Sequence, residues 1–187
     1  QIEPDLAADM PDFRMERGRQ VWTITLRKGV YFHPGPATPA YELTADDVIF
    51  SLGKSADKKF CAYAGEYADM TVRKKSDYAL EIILERPISS ILFFPKLTNY
   101  GGGFIVSKQA FETMGYEHFK SHPIGTGPFA FEKLVPGSKL SLTANKRYFR
   151  GTPKLAGVEI FFIPGLKDRE EGLRQGRLDV ITGSAEK

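Results

Sequence analysis

Disulfide stapling is excluded from the start: the 187 residues contain one cysteine, Cys61, so the fold has to rest on its core. Apolar runs are short, and none approaches the roughly 20 residues that a membrane-crossing helix needs. Neither sign of charge dominates, with 26 basic and 23 acidic residues and a formal net charge of +3. The densest basic run, Arg73-Lys74-Lys75, passes directly into Ser76-Asp77 and reads as a solvated turn. No basic stripe with interleaved aromatics occurs, so nucleic acid is not an expected partner. Only three histidines are present, a thin supply of general bases. The chain opens at Gln1 without a basic segment followed by an apolar one, and it carries no internal repeat.

What is present is a globular mixture, 42% apolar and 26% charged, long enough for one domain or two small ones. Fourteen Phe and eight Tyr predict a core in which aromatic packing carries much of the stability. Residues 1–20 are polar, hold Pro4, Pro11 and Gly18, and read as a surface lead-in. Val21 to Leu26 alternates apolar side chains with threonine, the period of a half-buried strand, and Val30 to Phe32 reads as its continuation. Three prolines between His33 and Pro39 exclude regular structure there. Thr44 with Asp47 three residues on predicts a capped helix over 45–53 that buries Val48, Ile49 and Leu52.

Residues 54–68 read as a loop that is rich in aromatics. A hairpin is expected from Met70–Arg73 and Tyr78–Leu84, joined at Lys74–Asp77. Ser90–Phe94 is a short apolar run and Asn99–Gly103 a flexible glycine loop. Ser107 and Gly115 bracket a helix over 108–114. From Pro123 a new unit begins: a hairpin of 129–134 and 139–143, a buried strand over 158–163, a helix over 167–174 and a last strand at 178–181.

Residues able to carry chemistry are few. Gly125-Thr126-Gly127 lacks the lysine and following helix of a phosphate-binding loop, and Pro128-Phe129 leads into a strand; its glycines read as permitting positive φ at a crossing. His118 and His122 would share a helix face, but Pro123 disturbs the helix at His122 and no third ligand lies close by. No metal and no cofactor are therefore expected. No serine sits in a nucleophile elbow. Cys61 beside Phe60 reads as a small buried hydrophobe, and Asp46-Asp47 and Glu170-Glu171 as helix carboxylates, so no catalytic residue is expected. Binding has better candidates. Tyr63 and Tyr67 can offer flat faces with hydroxyl handles, and Asn99, Tyr100 and Gly101 form a loop able to approach a ligand closely. Packing of the subdomain is the competing reading for each tyrosine.

In order, six segments resemble the extracellular solute-binding proteins of family 5, the oligopeptide, dipeptide and nickel receptors of ABC importers. They are Trp22–His33, Leu43–Leu52, Asp77–Pro87, Pro123–Phe129, Asn145–Leu155 and Gly176–Val180. The stretch 34–42 departs from the family in length and has Pro34 where an Asp is usual. The resemblance implies a mixed α/β (α+β) fold, periplasmic-binding-protein-like type II. It covers part of the first lobe of a larger two-lobed protein, with mixed β-sheets flanked by short helices. Residues 1–118 would be the extra subdomain of that lobe and 119–187 its central part. It further implies an exported, periplasmic or extracellular monomer that captures a peptide or similar small polar molecule for an ABC permease. A stand-alone sensory or interaction domain of the same fold, and less so a hydrolase, are the alternatives.

Overall fold

In the computed structural model of the chain, the described residues are 2–36, 38–98 and 101–183. Two antiparallel sheets organise them. The first contains β1 (Asp12–Glu16), β2 (Arg19–Thr25), β3 (Met70–Ser76) and β4 (Ala79–Leu84) in the order β1-β2-β4-β3. The second contains β5 (Phe129–Val135), β6 (Lys139–Ala144) and β7 (Gly157–Phe161) in sequence order. The helices are α1 (Ala45–Ala56), α2 (Ser90–Thr98), α3 (Lys108–Met114), α4 (Tyr116–Ser121) and α5 (Leu166–Arg174).

The lead-in is not irregular throughout. β1 pairs with β2 from Asp12↔Thr23 to Glu16↔Arg19, around a two-residue turn in which Arg17 and Gly18 both have positive φ. That turn matches the right-handed twist of the strands it joins. The charged residues of β1 mask its pairing pattern, because an edge strand buries little. Conversely, the expected continuation at Val30–Phe32 is reduced to a bridge between Tyr31 and Glu42. Pro34, Pro36 and Pro39 deny the neighbouring stretch a ladder.

β4 is central, and five of its six residues are buried. Its inward side chains Leu80, Ile82 and Leu84 meet Trp22, Ile24 and Phe93 in one apolar core. Trp22 is 1% exposed and stacks on Phe93 of α2 at 4.2 Å between centroids. On the other face of β4, Glu81 accepts hydrogen bonds from Arg73 and Arg14, and these guanidiniums hold its carboxyl below the usual range.

Helix α1 begins as expected. The Thr44 amide donates to Asp47 Oδ2 at 3.1 Å, closing the acidic capping box. Val48 and Leu52 are buried, but Ile49 is only half-buried, and the deeper positions belong to Ser51 and Ser55. Asp47 is itself buried and does more than cap its own helix. It accepts from the Tyr41 hydroxyl at 2.5 Å and from the Lys108 amide at 3.2 Å. Tyr41 also touches Ser107 Oγ at 3.0 Å, and Ser107 caps α3 through the Ala110 amide at 3.0 Å. One carboxylate therefore ties the starts of two helices together. Burial, with Asp47 beside it, pushes the Tyr41 phenol up.

Other expectations need correction. The run at 90–94 is the first half of α2, which continues through Pro95 to Thr98. The loop at 54–68 starts as the end of α1 and includes a 3-10 turn at Ala64–Glu66. Cys61 is half-buried rather than enclosed. β7 is exposed, with Ile160 and Phe161 each more than 40% accessible, because no described element covers that part of the sheet. Residues 178–181 form no strand. Phe119 of α4 and the following Ile124 are buried in the same core as the first sheet.

Candidate functional site

A cavity of about 580 Å³ lies where the first sheet, α1, α2 and two glycine-containing loops converge. Its walls are mainly apolar: Ile24 and Ile82 from the sheet, Val48 and Leu52 from α1, Phe94 and Leu97 from α2. Gly103-Phe104-Ile105 forms one rim and Gly125-Thr126-Gly127 another, while Glu3 and Asp5 stand among the residues of the N-terminal stretch that border it. Such an enclosure, with apolar walls and a few polar groups, is the usual character of a small-molecule site.

The first glycine loop is held down from three sides. Ser55 Oγ donates to the Gly102 carbonyl at 2.7 Å, and Ser51 Oγ both donates to the Val106 carbonyl and accepts from its amide. From below, the Tyr67 ring packs so closely that a Cβ on Gly102 would fall 2.4 Å from its Cε2. A Cβ on Gly103 would fall 2.8 Å from the Leu97 carbonyl. Both glycines are required by this close approach. Tyr67 Oη in turn donates to the Lys96 carbonyl at 2.7 Å. Gly102→Ala is accordingly expected to destabilise by about 1–3 kcal/mol, whereas Gly101→Ala, whose Cβ meets open space, stays within about 0.5 kcal/mol of wild type. Thermal unfolding of the two variants checks the contrast.

The second loop is anchored differently. The His33 amide donates to the Gly125 carbonyl at 2.9 Å, and the Gly127 carbonyl lies 2.9 Å from His33 Nε2 and 3.0 Å from Asn145 Nδ2. Burial lowers the His33 pKa, favouring the neutral ring; since a carbonyl only accepts, Nε2 carries the proton. Every carbonyl contact just named faces the scaffold. The amides of Gly125, Thr126 and Gly127 meet no acceptor among the described residues. The expectation of positive φ at these glycines fails: neither Gly125 nor Gly127 occupies the left-handed region, and a Cβ at either would meet open space. Neither a left-handed backbone nor crowding at Cβ requires glycine at these two positions.

The sequence candidates fall around this site unevenly. Tyr67 is 1% exposed and supports the glycine loop from beneath, and Tyr63 is 55% exposed at the edge of the 3-10 turn. Neither lines the cavity, and nor does Gly101, although Gly103 of the same loop does. Asn99 and Tyr100 lie outside the described residues. Phe94, Leu97, Phe104 and Thr126 escaped the sequence reading. Ser51 and Ser55 could have been found, because they recur at i and i+4 on the same helical stripe as Val48 and Leu52.

Residues 1–187 match the bacterial extracellular solute-binding proteins, family 5 Middle. The chain belongs to this family. Among solved structures it is similar to MoaA from A. tumefacien R10 in complex with mannopinic acid, with 38% identity, a TM-score of 0.83, and coverage of 95% of this chain and 34% of that one. It is also similar to DppA from Helicobacter pylori in complex with the peptide STSA, at 28% identity and a TM-score of 0.78, covering 95% of this chain and 37% of that one. The oligopeptide-binding protein AppA of Bacillus subtilis (strain 168) is 29% identical over 173 residues, or 87% of this chain and 30% of AppA. The family 5 chain thus spans about a third of the length of these relatives. It shares their type II periplasmic-binding-protein-like fold as a mixed α+β unit of sheets and short helices. No helix among the described residues is long and apolar enough to cross a membrane.

Proposed function

We propose that this chain supplies one wall of the solute cleft in a family 5 binding protein, and that the full-length protein captures a peptide or similar small polar molecule for an ABC permease. The observation that carries the reading is the cavity between two glycine loops, one of which has three backbone amides that meet no acceptor among the described residues. Apolar walls suit the side chains or carbon skeleton of a solute, and free amides suit its carbonyl or carboxylate oxygens. Binding is non-covalent, and closure of a second lobe over this wall converts occupancy into a shape the permease recognises. In this reading the protein is exported to the periplasm or cell exterior and acts as a monomer, without nucleic acid. Residues 1–118 are its extra subdomain and 119–187 belong to the central part of the lobe. In this reading Tyr63, Asn99, Tyr100 and Gly101 contribute to solute contact in the full-length protein, and Tyr67 supports the glycine loop at Gly102.

Because one wall buries only part of a solute, the isolated chain binds weakly, with no affinity tighter than about micromolar. The test is saturation-transfer NMR with di- and tripeptides and with mannopinic acid at millimolar concentration, on wild type and on Gly127→Val. The expected result is a signal from at least one solute in wild type and its loss in the variant, whose added side chain enters open space. Silence from the whole panel, or equal signals from both proteins, overturns the proposal.

A further inference from the structure

The short helix α4 ends in a pair of imidazoles that do not line the cavity. We propose that His118 and His122 form an open, bidentate site for a divalent transition-metal ion, with Cu(II) as its strongest ligand. The two rings lie 4.4 Å apart between centroids and meet edge to face, 76° from coplanar. His122 is the C-cap of α4 and its backbone has left helical geometry, with φ −133° and ψ 62°. The pair nevertheless stays adjacent, because the His122 amide still bonds back to the His118 carbonyl at 3.0 Å.

Hydrogen bonding fixes which nitrogen of His122 is available. Its Nδ1 lies 3.0 Å from Ser121 Oγ and 3.3 Å from the His118 carbonyl. A carbonyl can only accept. The single hydroxyl proton of Ser121 is given to that same carbonyl at 3.0 Å, so towards His122 the serine oxygen also accepts. Both neighbours therefore require a proton on Nδ1, which leaves the lone pair on Nε2. A ligating histidine whose other nitrogen donates to a backbone or side-chain oxygen is the arrangement that orients the ring and raises its basicity. Packing against Phe131 at 5.3 Å restrains this ring further.

His118 provides the mobile half. It is exposed, and neither of its ring nitrogens bonds to a described residue. Ring nitrogens about 2.0–2.1 Å from a shared ion stand about 3 Å apart, within reach of a χ rotation at His118. The neighbouring charges on α4, Glu117 and Lys120, pair with each other at 2.7 Å. Two imidazoles with water completing the shell make an exposed chelate, not a closed structural site, and such nitrogen donors favour Cu(II) over the other divalent ions.

The experiment titrates the 187-residue chain with Cu(II) and reads the stoichiometry by calorimetry and the donor set by electron paramagnetic resonance. One ion per chain with two nitrogen donors is expected. His118→Ala is exposed and should leave unfolding unchanged while weakening binding by about tenfold or more, since the second donor no longer acts at high effective concentration. His122→Gln should have the same effect. Ser121→Ala, which removes one of the two acceptors of the Nδ1 proton, should weaken binding less than either. A single-nitrogen spectrum in wild type, or undiminished binding in the double variant, overturns the site.

Discussion

Trp22→Ala is expected to destabilise the chain by about 3–5 kcal/mol, the range for removing a large aromatic from a closed core. Trp22 is the only tryptophan, and it joins the sheet to α2: Phe93 stacks on it at 4.2 Å, Phe94 meets it edge-on at 5.4 Å, and Phe13 of the edge strand closes over it at 4.8 Å. A methyl in its place leaves three rings without a common partner. Trp22→Phe should cost roughly half as much or less. It keeps an aromatic plane for Phe93, and it removes an indole N–H that is buried without an acceptor among the described residues. Urea unfolding followed by circular dichroism separates the two, with the midpoint shifting at constant slope. Equal losses in both variants would mean that the stack is not what the core depends on.

The second large effect is expected at Asp47. Removing its carboxylate in Asp47→Ala leaves the Tyr41 hydroxyl and the Lys108 amide without their acceptor and opens the capping box at Thr44. Each stranded buried donor costs about 1–3 kcal/mol, so a total near 3 kcal/mol is expected. Tyr41→Phe removes only one spoke and should cost about 1–1.5 kcal/mol. The pair is informative because Asp47 reads in sequence as an ordinary helix-capping acid. If it were only that, alanine would cost about 1 kcal/mol and the starts of α1 and α3 would unfold independently. Hydrogen exchange at the Lys108 and Ala110 amides in Asp47→Ala decides this, with faster exchange at both expected from the shared network.

Local signals account for most of the fold that was legible beforehand. The alternation in 21–26, the capping pair Thr44/Asp47 and the brackets Ser107 and Gly115 are each set within a few residues, so sequence pattern sufficed. What failed depended on distant partners. β1 is a strand because β2 offers it a ladder, not because its own residues alternate clearly. The apolar 158–163 read as buried, yet burial needs a covering layer, and the described residues place none over β7. The site was legible in outline only. Both glycine loops stood out in the sequence, the second for the wrong reason: backbone freedom was expected at Gly125 and Gly127, where the structure shows no positive φ and unfilled space. Tyr67 was read as a possible ligand platform, and the aromatic pattern gave no sign that Gly102 would sit on its ring. Contact between residues 35 apart in sequence leaves no local trace.

The central claim is that the two glycine loops face a solute. It is tested most directly by recording amide chemical shifts of the 15N-labelled chain while adding a binding solute to millimolar concentration. The account expects the shifts to concentrate on Gly103–Ile105 and Gly125–Gly127, with those amides moving together along one saturation curve. Shifts centred on β6 and β7, or none at these six amides at saturation, would contradict it.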